Sequence, residues 1–193
     1  MIKTGLFFGS FNPVHIGHLA IANYILEYSE IQQLWFVVSP QNPLKEKKTL
    51  LADYHRLELT RLAIQEDDRF AVSDIEFGLP QPSYTIDTLT YLKEKHPNRT
   101  FFLLMGADGL LNFHQWKNAK IIEENYQRLV YPRPGISMNE IKNHKNIQIL
   151  QEAPLMEVSS SFIRKAIKEG RDIRHFLPEN TYKYLKEMHF YEK

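Results

Sequence analysis

Two histidines follow the first apolar segment of the sequence. They are His15 and His18 in LFFGSFNPVHIGHL, residues 6–19, where Gly9 and Pro13 interrupt the chain ahead of them. Histidines about one helical turn apart can share a face, and the free amides of a helix N-terminus attract anions. Since Gly9 lets the backbone approach a ligand closely, this spacing predicts a phosphate site in which imidazoles handle the charge.

Other interpretations of the pair are possible. An isolated H-x-x-H pair is often a surface or capping feature, and two histidines can bind a metal ion, but no third ligand of the H-E-x-x-H kind stands nearby. The commoner phosphate motifs, G-x-x-x-x-G-K-[ST] and G-x-G-x-x-G after the first strand, are missing. Asn12 and Pro13 suit the N-cap and first position of a helix, so we expect a helix to begin there. The coincidence of turn, glycine and histidines favours the phosphate site.

A second candidate group is the stretch VSSSFIR, residues 158–164. Three serines begin a predicted helix, and Arg164 lies about one turn beyond Ser160 and Ser161, on the same side. Hydroxyls, free amides and a guanidinium at one helix end would converge on phosphate oxygens. The alternative is a serine cap with a solvated arginine.

Apolar segments alternate with helical patterns along the chain. Strands are predicted at 4–9, 34–39, 69–74, 100–106, 126–132 and 146–151, and helices at 15–29, 53–66 (Asp53 as N-cap), 84–96, 159–170 and 178–188. This alternation predicts an α/β fold, a Rossmann-like doubly wound parallel sheet with helices on both faces, in a single domain of residues 1–193. Ligands bind outside the carboxyl ends of such strands, where both candidate groups would lie.

Composition excludes several classes of protein. The 193 residues carry 24 Lys plus Arg against 23 Asp plus Glu, which argues against a broad cationic surface for nucleic acid or acidic membranes. Cysteine is absent, so disulfides and thiolate chemistry are excluded. No apolar run approaches the roughly 20 residues of a membrane span, and the N-terminal segment is a poor secretory signal. We expect a cytoplasmic enzyme or binding domain.

Six blocks of the sequence, in order, resemble motifs of one enzyme family. They are GSFNPVHIGH (9–18), SPQNPLK (39–45), PSYTIDTL (82–89), GADGLLNFHQW (106–116), RPG (133–135) and VSSSFIR (158–164). Together they resemble the bacterial nicotinate-nucleotide adenylyltransferases of the nucleotidyltransferase superfamily. Asn12 stands for the family's aspartate and Ser161 for its threonine, and Ser161 retains the hydroxyl.

The resemblance implies transfer of the adenylyl group of ATP to nicotinate mononucleotide, giving nicotinate adenine dinucleotide and pyrophosphate in NAD synthesis. It implies catalytic roles for His15, His18 and Arg164. Further ATP contacts would come from Gly9, Ser10, Phe11, Lys45, Gly106, Asp108, Ser160 and Ser161, and mononucleotide contacts from Tyr84, Thr85 and Trp116. Mg²⁺ would be carried with ATP, without a metal site built by the protein.

Alternative functions stay open at this point. Nicotinamide mononucleotide or both mononucleotides could be the acceptor, or phosphopantetheine, which the SYTIDTL segment and Trp116 disfavour. A non-catalytic nucleotide-binding regulator of the same fold is another class, disfavoured by the two histidines and Arg164. A redox dehydrogenase is disfavoured by the absent glycine fingerprint.

Overall fold

The computed structural model describes residues 1–40, 50–141 and 144–192. Its strands are β1 (Ile2–Gly9), β2 (Gln33–Val38), β3 (Phe70–Ser73), β4 (Arg99–Gly106), β5 (Gln127–Tyr131) and β6 (Ile147–Ile149). Its α-helices are α1 (Ile16–Tyr28), α2 (Asp53–Ile64), α3 (Thr85–Lys95), α4 (Ala107–Leu111), α5 (Ala119–Asn125), α6 (Ser160–Lys168) and α7 (Glu179–Glu187).

All six strands pair in parallel in the order β3-β2-β1-β4-β5-β6. Neighbouring residues of a central strand face opposite sides of the sheet, as Leu6 and Phe7 of β1 do. Leu6 packs in a core with residues of α3, α4 and α5, and Phe7 packs in a second core with residues of α1, α2, α6 and α7. The predicted doubly wound α/β fold is therefore confirmed.

The order of the strands reverses direction between β1 and β4. In open α/β sheets this switch point, at the carboxyl ends of the strands, is where a crevice forms. The segments after Gly9 and Gly106 leave the sheet at this edge, because β1 and β4 run side by side with Phe7 opposite Leu104. The fold thus places the first histidine motif at the crevice.

Two predicted helix N-caps, Asn12 and Asp53, were wrong. Helix α1 begins at Ile16 with His15 as its N-cap, and Asn12 and Pro13 lie in the preceding loop, because the Asn12 side chain already accepts hydrogen bonds from distant segments. Helix α2 has Ala52 as its N-cap, and Asp53 is its first residue. None of the helices in the described ranges is long and apolar enough to cross a membrane.

Candidate active site

The turn after β1 points its backbone to the crevice and its aromatic ring to the core. Phe11 has a φ of 42°, and its buried ring contacts Phe7 and Phe36 at centroid distances of 5.7 and 5.4 Å. A Cβ on Gly9 would lie 2.8 Å from that ring, so glycine is required there. Burial of the Phe11 ring compensates the strained backbone, and Ser10 and Phe11 are among the residues that line the crevice.

Arg56, the fourth residue of α2, fixes this turn from behind. The side chain is fully buried, and its guanidinium donates to four carbonyl oxygens and one carboxylate. The acceptors are Ser10 O at 2.6 Å, Ser39 O at 2.8 Å, Pro40 O and Leu51 O at 3.0 Å, and Asp53 Oδ1 at 2.6 Å. Burial lowers the pKa of Arg56, and the Asp53 carboxylate offsets part of that effect. One side chain therefore holds the segments after β1 and β2 and the segment before α2.

The rings of His15 and His18 stack on each other at the start of α1. Their centroids are 3.7 Å apart with an angle of 30° between the planes. The His15 backbone N–H donates to His18 Nδ1 at 3.2 Å, so a neutral His18 carries its proton on Nε2. A Cβ on Gly17 would lie 3.0 Å from His15 Nδ1, which explains the glycine between the two histidines.

His15 is held in its neutral form. Burial, and then the positive charge of Arg133, lower its pKa from 6.5 to about 4. Its Nδ1 is buried without a hydrogen-bond partner among the described residues, and Nε2 is the ring nitrogen left for a ligand. Nε2 of a neutral His18 is thus a hydrogen-bond donor, and His15 offers its Nε2 to a ligand.

The start of α6 docks against the turn that precedes α1. The Ser160 hydroxyl donates to the Pro13 carbonyl at 2.8 Å, and Arg164 Nη1 donates to the Asn12 carbonyl at 2.7 Å. The Ser161 hydroxyl accepts from Arg164 Nη2 at 3.2 Å, so its own proton is available to a ligand. These contacts bring the two sequence motifs, almost 150 residues apart, to one place.

A cleft of about 360 Å³ lies between these segments, within the roughly 300–1,000 Å³ typical of ligand sites. Its lining includes both histidines, the start of α6, and the cations Arg133 and Arg164, and none of the described lining residues is acidic. The N-termini of α1 and α6 add partial positive charge. The arrangement suits an extended, highly charged anion.

Arg133 reaches the cleft from the loop after β5. Its Nε donates to Asp108 Oδ1 at 3.3 Å, and its guanidinium lies 5.3 Å from the centre of the Tyr131 ring. A Cβ on Gly106 would lie 2.4 Å from that Asp108 oxygen and 2.9 Å from Arg133 Nε. Gly106 therefore makes room for this ion pair, which joins the ends of β4 and β5.

Residues of a second group meet at the start of α3. Helix α3 begins at Thr85 with the half-exposed Tyr84 as N-cap. Lys117 Nζ donates to Asp87 Oδ2 at 2.8 Å and lies 4.6 Å from the centre of the Tyr84 ring. Lys117 directly follows Trp116, so it joins the start of α3 to the segment that carries the tryptophan.

The predicted site residues fall into these two groups. Gly9, Ser10, Phe11, His15, His18, Ser160, Ser161 and Arg164 line the cleft. Gly106 and Asp108 adjoin it through Arg133. Tyr84, Thr85 and Trp116 are not among the lining residues, and Trp116 is half-buried with its ring 5.4 Å from that of Phe113. Lys45 lies outside the described residues.

Four residues of the site carried no role in the sequence analysis. They are Arg56, Lys117, Arg133 and Tyr191, the last of which donates its hydroxyl hydrogen bond to Asn12 Oδ1. Only Arg133 had a signal, since it opens the RPG block. The other three act through contacts between segments far apart in the sequence, which spacing cannot reveal.

Comparisons with known proteins agree with this geometry. The cytidylyltransferase-like family profile matches residues 6–166. A protein of Christiangramia forsetii, by name a probable nicotinate-nucleotide adenylyltransferase, is 49% identical over 192 residues, 98% of each chain. One of Flavobacterium johnsoniae with the same name is 47% identical over 194 residues, 100% of each chain. The solved Plasmodium falciparum nicotinic acid mononucleotide adenylyltransferase, complexed with NaAD, has a TM-score of 0.83 at 21% identity, with 100% of this chain and 98% of that chain covered.

Proposed function

Since this chain belongs to the cytidylyltransferase-like family and, within it, to the nicotinate-nucleotide adenylyltransferases, we infer that it transfers the adenylyl group of ATP to nicotinate mononucleotide. The products are nicotinate adenine dinucleotide and pyrophosphate. The observation in the structure that carries this function is the cleft at the switch point of the sheet, where imidazoles, arginines and two helix N-termini meet without an acidic side chain among the described lining residues. A polyphosphate is the ligand such a cleft suits.

The reaction makes modest demands on acid–base chemistry. The phosphate of the mononucleotide attacks the α-phosphorus of ATP in line, the bond between that phosphorus and the bridging oxygen breaks, and pyrophosphate leaves with the electron pair. The attacking phosphate is already ionised, so no strong base is required. The protein must hold two anions together and stabilise the charge that develops on the transferring and leaving groups.

The histidines and the start of α6 suit that task. We assign to His15 and His18 hydrogen bonds from Nε2 to phosphate oxygens, because Nδ1 of His15 is buried and Nδ1 of His18 already accepts the His15 backbone N–H. Arg164 uses two N–H groups within the protein, and its remaining donors would contact the leaving pyrophosphate. The Ser161 hydroxyl and the free amides of the first turn of α6 would contact the same group.

Mg²⁺ belongs to this proposal as a companion of ATP. Among residues 1–40, 50–141 and 144–192 no group of three or more His, Cys, Asp or Glu side chains is arranged to hold a metal ion. The donors of the cleft are N–H and O–H groups, which fit phosphate oxygens and not a cation. The ion would be held by the phosphates, where it offsets their charge.

The start of α3 suits the nicotinate carboxylate. The Asp87 and Thr88 amides donate to the Tyr84 carbonyl within the first turn, and the Thr85 and Ile86 amides point outward from the helix end. Together with the Thr85 hydroxyl they offer donors to a group that only accepts. Trp116 would stack on the cationic pyridinium ring. We further propose that the reaction takes place in the cytoplasm. ATP is available there, and a chain without cysteine has no disulfide that would need an oxidising compartment.

Pyrophosphate release tests the function. The purified protein is mixed with Mg-ATP and, in separate reactions, nicotinate mononucleotide or phosphopantetheine. We expect rapid release with the mononucleotide and far slower release with phosphopantetheine. A folded protein that binds ATP but releases no pyrophosphate with any mononucleotide would refute the enzymatic function.

A further inference from the structure

The segment after α7 returns toward the cleft through strained backbone. His189 and Tyr191 have φ values of 52° and 66°, in the left-handed region that bulky side chains rarely adopt. Phe190 between them is buried, and Glu192 accepts from Lys186 Nζ at 2.8 Å and lies 2.9 Å from His189 Nδ1. The left-handed His189 ends α7, where the Phe190 N–H donates to the Leu185 carbonyl at 3.2 Å, and the residue that this turn leads to is Tyr191.

That residue, Tyr191, contacts the loop of the histidine motif. Its hydroxyl donates to Asn12 Oδ1 at 2.6 Å. Burial raises the pKa of Tyr191, although Arg164 and Arg56 act in the opposite direction, so the hydroxyl keeps its proton. The same Oδ1 accepts the Leu51 N–H at 3.2 Å. One amide oxygen thus joins the turn after β1, the segment before α2 and the segment after α7.

Asn12 transmits this constraint to the cleft. Its carbonyl accepts Arg164 Nη1 at 2.7 Å, and the next carbonyl, of Pro13, accepts the Ser160 hydroxyl at 2.8 Å. The orientation of the Asn12 residue therefore sets the place of the guanidinium. Because Oδ1 is bonded to two other segments, the Asn12 backbone cannot shift, and carry with it the carbonyl that Arg164 contacts, without straining those bonds.

We propose that Tyr191 is a positioning residue for adenylyl transfer: its hydroxyl fixes Asn12 and thereby orients Arg164 toward the phosphates of ATP. The inference rests on the proposed function. Tyr191 is not among the residues that line the cleft, so it acts through Asn12 and not on the nucleotide. Its effect belongs to the ATP side of the site, because the hydroxyl bonds to Asn12, whose carbonyl accepts from Arg164, whereas Lys117 bonds to Asp87 of α3, which we assign to the mononucleotide.

Tyr191→Phe removes the hydroxyl and keeps the ring. We expect kcat/KM for ATP to fall roughly 3- to 10-fold, which is the usual cost of losing one well-placed hydrogen bond. KM for nicotinate mononucleotide should stay unchanged. The matched control is Tyr184→Phe, whose hydroxyl lies 3.1 Å from His55 Nδ1 in the same packing of α7 but does not contact Asn12. The control should leave both parameters unchanged.

Two further measurements separate positioning from stability. In a protein that already carries Arg164→Lys, Tyr191→Phe should cause little further loss of kcat/KM for ATP. The effects of two residues that act as a unit are not additive. Calorimetry with a non-hydrolysable ATP analogue should show the same fold-loss of affinity in Tyr191→Phe. This binding measurement tests the role of Tyr191 without relying on catalysis. If the wild type released no pyrophosphate, that result would refute only the proposed function. The inference is overturned if Tyr191→Phe and Tyr184→Phe bind and react alike, or if their losses follow melting temperature alone.

Discussion

Two stacked imidazoles set the chemistry of the cleft at the scale of single residues. His18 Nδ1 is occupied by the His15 backbone amide, and burial with the nearby charge of Arg133 keeps the pKa of His15 at about 4. A neutral His15 adds no positive charge beside Arg133, and in the proposed function both rings would donate hydrogen bonds from Nε2. This explains how histidines and arginines can share one small site.

Substitution of His18 tests its role as a donor. His18→Ala should lower kcat by about 10²–10³, the usual cost of removing one donor that stabilises developing charge, and should weaken ATP binding much less. Steady-state kinetics and binding of an ATP analogue measure the two effects. His175→Ala, in an exposed turn far from the motif in sequence, is the control. An unchanged kcat with weakened ATP binding would show that His18 contributes only to ground-state binding.

The depressed pKa of His15 makes stability depend on pH. The unfolded chain protonates this histidine near pH 6.5 and the folded chain only near 4, so its contribution is complete above pH 6.5 and is lost as pH falls toward 4. The loss approaches about 3 kcal/mol. Urea unfolding of the wild type at pH 7.5, 6, 5 and 4 measures the free energy of unfolding.

His15→Gln supplies the control for that series, because glutamine does not titrate. Carboxylates titrate alike in both proteins, so the difference between the two curves isolates His15. The wild type should lose more free energy than the variant between pH 6.5 and 4. Parallel curves would contradict the assignment of a buried neutral imidazole.

At the scale of elements, helix starts and strand ends do most of the positioning. Helices α1 and α6 approach each other through Ser160 with Pro13 and through Arg164 with Asn12. Helix α3 and the segment after α4 approach each other through Lys117. In the proposed function, the first contact would assemble the triphosphate side of the site and the second the mononucleotide side.

The Lys117 contact can be tested independently of ATP. Lys117→Gln should raise KM for nicotinate mononucleotide by up to about 5-fold, since an exposed ion pair contributes at most about 1 kcal/mol, and should leave KM for ATP unchanged. Lys120→Gln, an exposed lysine of α5, is the matched control. A change in KM for ATP, or an equal change in the control, would remove Lys117 from the mononucleotide site.

The strands and the longer helices could be predicted from the sequence, and the two shortest α-helices could not. The six strands and helices α1, α2, α3, α6 and α7 carry recognisable apolar patterns, and they appear within a few residues of the predicted positions. Helices α4 and α5 have five and seven residues, too few for a clear helical period. The N-cap of α1 was misplaced because Asn12, a good N-cap by type, is bonded to Leu51 and Tyr191 instead.

At the scale of the whole molecule, the site is assembled from segments distant in the sequence. Motifs revealed His15, His18 and Arg164 because these residues lie in recognisable blocks. Arg56 and Tyr191 were missed, since a buried arginine bonded to carbonyls and a tyrosine 179 positions from Asn12 leave no local pattern. The net charge of +1 likewise conceals a strongly cationic cleft.

The choice between nicotinate and nicotinamide mononucleotide as acceptor depends on two segments that the fold brings together, the start of α3 and the segment that carries Trp116. The start of α3, brought near Trp116 by Lys117, presents donors: the Thr85 hydroxyl and the outward amides of the first turn. In the proposed function a carboxylate would accept from all of them, whereas an amide would set its own NH₂ against a donor and leave that donor unpaired. That mismatch costs about 1–3 kcal/mol, or roughly 10- to 100-fold at one contact.

One competition experiment tests adenylyl transfer to nicotinate mononucleotide most directly. The wild-type protein receives Mg-ATP with equimolar nicotinate and nicotinamide mononucleotides, and mass spectrometry measures the two dinucleotide products, whose ratio gives the ratio of kcat/KM values. We expect nicotinate adenine dinucleotide in roughly 10- to 100-fold excess. Equal amounts of the two products, or an excess of the amide, would contradict the function assigned to this site.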